Sequence, residues 1–150
     1  MISVQTECFD VSAEHARLAA TPQSGAVVTF CGLVRDFNRS EGVSALTLEH
    51  YPGMTEKCLQ EIEAQARERW PVNDCTLIHR VGRLEANEPI VFVGVSSAHR
   101  KAAFEACEFM MDYLKTRAPF WKKEQSDSGE HWVEAKDSDQ QAAERWQQGE

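Results

Sequence analysis

Ile90-Val91-Phe92-Val93-Gly94-Val95-Ser96-Ser97, followed at once by Ala98-His99-Arg100-Lys101-Ala102-Ala103-Phe104-Glu105-Ala106-Cys107-Glu108-Phe109-Met110-Met111-Asp112-Tyr113-Leu114-Lys115, is the stretch on which the fold turns. Its first eight residues carry no charge and are rich in β-branched side chains, which predicts a strand. In the rest, Ala103, Cys107, Met110, Met111 and Leu114 recur at i, i+4, i+7, i+8 and i+11. That period is an amphipathic helix beginning near His99 and ending before Pro119. Upstream, residues 75–81 read as a strand joined to the first across Glu85-Ala86-Asn87-Glu88-Pro89. Cys58, Leu59, Ile62 and Ala66 predict a helix over residues 55–70 that Pro71 stops.

Further out, Ala45-Leu46-Thr47-Leu48-Glu49-His50 alternates as a strand and ends at the turn signal Tyr51-Pro52-Gly53. The run Ala26-Val27-Val28-Thr29-Phe30-Cys31-Gly32-Leu33-Val34 predicts a buried strand. Downstream, residues 120–125 and 131–134 predict a hairpin around Asp127-Ser128-Gly129, and Ser138 is placed to cap a last helix through Trp146. Strands and helices mix without strict alternation. The fold class is therefore α+β, with a mixed or antiparallel sheet and two main helices. A chain of 150 residues is expected to form one domain over 1–150, with a tail from about residue 136 that is mobile or touches a partner.

Charge and cysteine usage narrow the function. Sixteen Lys and Arg stand against 24 Asp and Glu, for a net charge of -8. That balance argues against nucleic acid or an anionic membrane as the main partner. The opening residues show neither the basic nor the apolar segment of a signal peptide. Cys8, Cys31, Cys58, Cys75 and Cys107 form no C-x-x-C pair, which excludes a zinc signature and suits a reducing cytoplasm. The expected protein is soluble and cytoplasmic, with no metal.

Cations nevertheless concentrate at segment ends. Lys115, Arg117, Lys122 and Lys123 lie within nine positions, His99-Arg100-Lys101 opens the long helix, and Arg35 and Arg39 follow the Ala26 strand. Each alone is an ordinary surface charge; together they suit one small anion. A helix start offers free N–H groups and the positive dipole end, so a phosphate at His99-Arg100 would relieve an otherwise unfavourable cation there. Lys115 falls about 80° from the centre of the apolar stripe. It either snorkels to solvent or is partly desolvated as an acid–base group or nucleophile. Alternation puts Lys122 on the face of Phe120 and Lys123 on that of Trp121.

Six blocks taken in order resemble one family. They are Ala26 to Arg35; Leu46-Thr47-Leu48-Glu49-His50-Tyr51-Pro52-Gly53-Met54; His79-Arg80-Val81-Gly82; Val95-Ser96-Ser97-Ala98-His99-Arg100; Asp112-Tyr113-Leu114-Lys115; and Ala118-Pro119-Phe120-Trp121-Lys122-Lys123-Glu124. With these the chain resembles the large, catalytic subunits of molybdopterin synthase. The resemblance implies an α/β-hammerhead type of fold, a homodimer, and a small ubiquitin-like partner bound to each large subunit as a heterotetramer. The partner's C-terminal Gly-Gly thiocarboxylate would give sulfur to cyclic pyranopterin monophosphate, forming the dithiolene of molybdopterin, with no cofactor resident in the chain.

Carried over by position, the substrate-binding residues are Leu33, Val34, Arg35, His99, Arg100, Lys115, Lys122, Lys123 and Glu124, with Lys115 and Lys122 catalytic. Leu33 departs from a position expected to be polar, so its contact would be through backbone. Residues 85–88 lack a glycine usual in the family, though Asn87 tolerates a left-handed turn. Two rival functions stand beside this one: a persulfide sulfurtransferase using its own cysteine, and a non-enzymatic subunit that only docks a ubiquitin-like partner.

Overall fold

Apolar residues repeating with two different periods can be buried together only where helices stack on sheets. The computed structural model describes residues 1–35, 45–126, 129–133 and 137–147. In chain order the elements are β1 (Ile2–Gln5), α1 (Val11–Ala19), β2 (Ala26–Leu33), β3 (Ala45–His50), α2 (Met54–Arg69) and β4 (Val72–Arg80). There follow β5 (Gly82–Leu84), β6 (Pro89–Ser97), α3 (Arg100–Arg117), β7 (Phe120–Ser126), β8 (Gly129–Val133) and α4 (Asp137–Gln147). The architecture is α+β, and α2 and α3 are its longest helices.

Two four-stranded sheets result. The first has the order β1-β4-β6-β2, with β1 parallel to β4 and its other pairs antiparallel. The second, β5-β3-β7-β8, is antiparallel throughout. A single core takes Leu46 and Leu48 from the second sheet, Leu77 and Val93 from the first, and Phe109 and Tyr113 from α3. On the opposite face of the first sheet, Leu18 of α1 packs on Ile78 and Phe92. Gly94 permits that approach, because a Cβ there would stand 2.4 Å from Leu18 Cδ1. With both faces covered, β6 is buried from Ile90 to Ser97.

Four expectations need correction. The Ala26 run is a strand but not a buried one: β2 is the sheet edge, and Phe30 and Leu33 are 42% and 54% exposed. Its apolar pattern fits burial, yet among the described residues only β6 pairs with it. Between β4 and β6 lies a third strand, β5, whose three residues are too few to show a period. β1 and α1 carried no sequence assignment; α1 buries only Glu14 and Leu18 and is started by Asp10, which accepts from the Ala13 N–H at 3.1 Å. Ser138 lies inside α4 rather than capping it.

The tail forms α4 and packs on α3. Trp146 meets Trp70 and Phe109 edge-on at 5.5 and 5.7 Å and donates to Asp112 Oδ2 at 2.7 Å. Arg145 bridges Glu108 and Asp112 at 2.9 and 3.2 Å. No described helix is long and apolar enough to cross a membrane.

Candidate active site

The α3–β7 corner carries a lysine on each side. Tyr113 and Leu114 are buried at the end of α3, and Lys115, one residue further round, is exposed. Pro119 cannot continue the helix, and the chain returns as β7 antiparallel to β3, pairing His50 with Phe120 and Leu48 with Lys122. Alternation then turns Phe120 and Lys122 inward and Trp121 and Lys123 outward, as the sequence predicts. Lys122 and Lys123 are both half-buried, and Lys123 Nζ lies 4.5 Å from the centre of the exposed Trp132 ring. Glu124 continues β7 in register with Leu46 and His131.

Behind the corner sits a residue that sequence reasoning did not select. His79, near the end of β4, is buried and stacks on Phe120 with ring centres 3.8 Å apart and an interplanar angle of 16°. Its Nδ1 lies 2.8 Å from the Arg80 carbonyl oxygen, which makes Nδ1–H the donor in the neutral ring and leaves Nε2 as acceptor. Burial first, then the positive charges of Lys115, Lys122 and His50, push its pKa down to about 4, against the donated Arg80 bond. Both lysines thus act on one neutral imidazole. Only the packing of β4 in one sheet on β7 in the other creates this neighbourhood, so no spacing in the sequence signals it.

The remaining candidates divide between two ends of the first sheet. Val34 is buried with both backbone groups engaged: its N–H donates to the Glu88 carbonyl at 2.9 Å, and its own carbonyl accepts from Asn87 N–H at 2.6 Å. It anchors the strand end, and Asn87 takes the left-handed conformation expected of it (φ 71°). Leu33 and Arg35 on either side are exposed. His99 and Arg100 are exposed at the start of α3, where His99 is the N-cap without a side-chain capping bond. Arg39 lies outside the described residues.

One grouping is not brought together within the protomer. Arg35, His99 and Arg100 do not form one cluster within this chain. In the β2–β6 ladder Ala26 pairs with Ser97 and Leu33 with Pro89, so Arg35 leaves one end and His99 the other. The ladder separates them by about 25 Å at roughly 3.3 Å per residue. Along α3, Arg100 and Lys115 are likewise about 22 Å apart at roughly 1.5 Å per residue. The strand run and the helix start were each legible, but not the pairing that carries them apart.

Three of the five thiols offer little nucleophilicity. Cys75 and Cys107 are buried and pushed up to about 12, and burial and the neighbouring Cys8 thiol also raise Cys31. Among the described residues no group of three or more His, Cys, Asp or Glu is placed to hold a metal ion.

Known proteins share this fold. The family described as MoaE protein matches residues 4–117. A relative from Salmonella typhimurium strain LT2, named molybdopterin synthase catalytic subunit, is 62% identical over 138 residues, 92% of each chain. A solved structure described as the molybdopterin biosynthesis MoaE protein from Burkholderia ambifaria MC40-6 superposes with a TM-score of 0.82 at 51% identity, covering 97% of both chains. The fold alone extends to a Helicobacter pylori complex of subunits 1 and 2 of molybdopterin-converting factor, at a TM-score of 0.76 and 18% identity over 89% of this chain and 90% of that one. The family match over most of the length and the identity of these relatives place the conclusion beyond the fold: this chain belongs to the MoaE family.

Proposed function

We propose that this chain is the catalytic subunit of a cytoplasmic molybdopterin synthase and moves sulfur from the thiocarboxylated C-terminus of a small ubiquitin-like partner to cyclic pyranopterin monophosphate. The observation that carries the reading is that Lys115 ends α3 and Lys122 opens β7 on either side of the Pro119 corner, with the charges of both felt by the buried His79 that stacks on Phe120. The tail's sulfur bonds to a pterin carbon and displaces an oxygen substituent from it, leaving the tail as a thioester. Water then adds to the acyl carbon, which places charge on the acyl oxygen, and collapse breaks the acyl carbon–sulfur bond to leave sulfur on the pterin and a carboxylate on the tail. Fixed positive charge stabilises that oxyanion, and an ammonium group supplies or removes the protons. Lys122, half-buried on β7, is the electrostatic clamp. Lys115 at the helix end is the acid–base or transient acyl-accepting group, with Glu124 and Lys123 alongside Lys122 on the same strand. No cofactor resides in the chain, since the pterin is substrate.

The substrate's phosphate needs the cations at the other end of the sheet, and a homodimer supplies them. The β2 edge and α3 present a mainly apolar groove of about 300 Å³ between Val28, Phe30, Phe104 and Met111, with Glu108 and Asp112 also lining it and Phe104 60% exposed. An apolar, exposed strand edge is a surface that pairs. If two β2 edges pair antiparallel about a twofold axis, the Leu33–Arg35 end of one protomer lies beside the helix start of the other. One site then takes Arg35, Lys115 and Lys122 from one chain and His99 and Arg100 of the partner subunit.

Purified chain mixed with thiocarboxylated small subunit and pyranopterin should yield dithiolene product. The five-fold Cys→Ala variant should do the same at nearly the wild-type rate. Partner binding without product would leave a docking subunit only, and loss of turnover traceable to one thiol would restore the persulfide route.

A further inference from the structure

Six residues separate Lys115 from Lys122, and across them the chain leaves a helix, turns at Pro119 and enters a strand. The relative placement of the two ammonium groups therefore depends on how firmly this corner is held. It is held at two points by residues outside it. Thr55, in the first turn of α2 and completely buried, donates its hydroxyl to the Pro119 carbonyl at 3.0 Å. The same Oγ1 accepts the Tyr51 N–H at 3.0 Å, so both capacities of the hydroxyl are used across the corner and the β3–α2 turn. One residue on, Phe120 lies flat on His79 of β4. The first contact ties the corner to α2 and the second ties it to the other sheet.

We infer that Thr55 and His79 are positioning residues for the sulfur-transfer reaction: they touch the corner rather than the substrate, and set the separation and direction of Lys115 and Lys122. The inference rests on the reading of these lysines given above. A threonine is suited to the first point, because only a side chain that both donates and accepts joins Tyr51 N–H to Pro119 C=O. Valine has the same shape but can make neither bond, so the tie between the two segments is lost. A flat ring is suited to the second, because it fills the space between the sheets without carrying a charge toward two lysines.

The experiment measures kcat and KM for the thiocarboxylated partner in the reconstituted complex, with circular dichroism and melting to confirm folding. Misplacing reacting groups by an ångström costs up to about a hundredfold in rate, so Thr55→Val should lose on the order of tenfold or more in kcat with KM little changed. Thr55→Ser, which keeps the hydroxyl, should recover most of it. His79→Ala should fall like Thr55→Val, and His79→Phe, which keeps the stack, should fall much less. In a Lys122→Ala background Thr55→Val should add little further loss, since both changes disable one arrangement.

A folded Thr55→Val protein with wild-type kcat would overturn the inference. So would a loss that multiplies in full with that of Lys122→Ala, or one that Thr55→Ser shares equally. Wild-type turnover in Lys122→Ala and Lys115→Ala would instead remove the lysines from the reaction, a distinct outcome read from those two variants alone.

Discussion

The two ends of α3 are built differently. At its C-terminal end the chain is fastened: Pro119 is bonded to Thr55, Phe120 is stacked on His79, and Tyr113 and Leu114 anchor the last turn in the core. At its N-terminal end His99 and Arg100 stand exposed, and no side chain caps the helix. The cations of the first end are held in place by the chain that bears them. Those of the second are offered outward, next to an apolar strand edge with nothing described on it. On the function proposed above, the difference means that one half of the site is finished within the protomer and the other half is completed by a second copy.

The largest effect should come from the fastened end. Lys115→Ala should bind the small subunit almost normally yet lose about 10²–10⁴-fold in product formation, the range of a general acid–base group. Lys122→Ala should lose rate and some affinity for the partner's tail together. Steady-state turnover and partner titration separate the two, and near wild-type turnover in Lys115→Ala would return that lysine to an ordinary surface role.

Acid should loosen the same end next. Above the ordinary histidine value of 6.5, His79 is neutral whether the chain is folded or unfolded, and the full stability is present. Between 6.5 and about 4 only the unfolded chain takes up the proton, so stability falls as pH falls. Below about 4 both states are protonated and this contribution changes no further. The loss amounts to about 3 kcal/mol at roughly 1.4 kcal/mol per unit. Denaturant unfolding of wild type and His79→Phe across this window should show the extra slope in wild type alone.

The open end should yield a smaller change and a different one. Arg100→Ala removes a charge-assisted contact to the substrate's phosphate, worth about 1.5–3 kcal/mol. Pyranopterin binding should weaken tens-fold while partner binding stays as it was. Equal binding of substrate by the variant would mean that the helix start holds no phosphate.

Much of this contrast was legible in the sequence, and its limits have physical causes. The 3.6-residue period placed Lys115 beside the buried stripe of α3, and the two-residue period put Lys122 on the face of Phe120. Both are local properties, carried by neighbours a few positions away. His79 escaped selection because its role comes from β4 meeting β7 across two sheets. Thr55 escaped for the same reason, its partner Pro119 being 64 residues distant. The β2 run was read as buried because an exposed apolar edge and a central strand have the same composition. The distance between Arg35 and His99 could not be read at all, since it is set by the antiparallel register of β2 on β6.

The central claim is that the fastened end of one protomer works with the open end of the other, and subunit mixing tests it directly. Lys115→Ala and Arg100→Ala proteins, each of low activity alone at a pyranopterin concentration well below the wild-type Kd, are dissociated, mixed in equal amounts and reassembled with thiocarboxylated partner under that same condition. Half of the dimers then carry one of each, and a composite site gives every such dimer one intact set of residues. Dithiolene formation should rise to about a quarter of the wild-type rate. If each site lies wholly within one chain, no mixed dimer holds an intact site, and activity staying at the level of the separate variants after confirmed exchange would contradict the account.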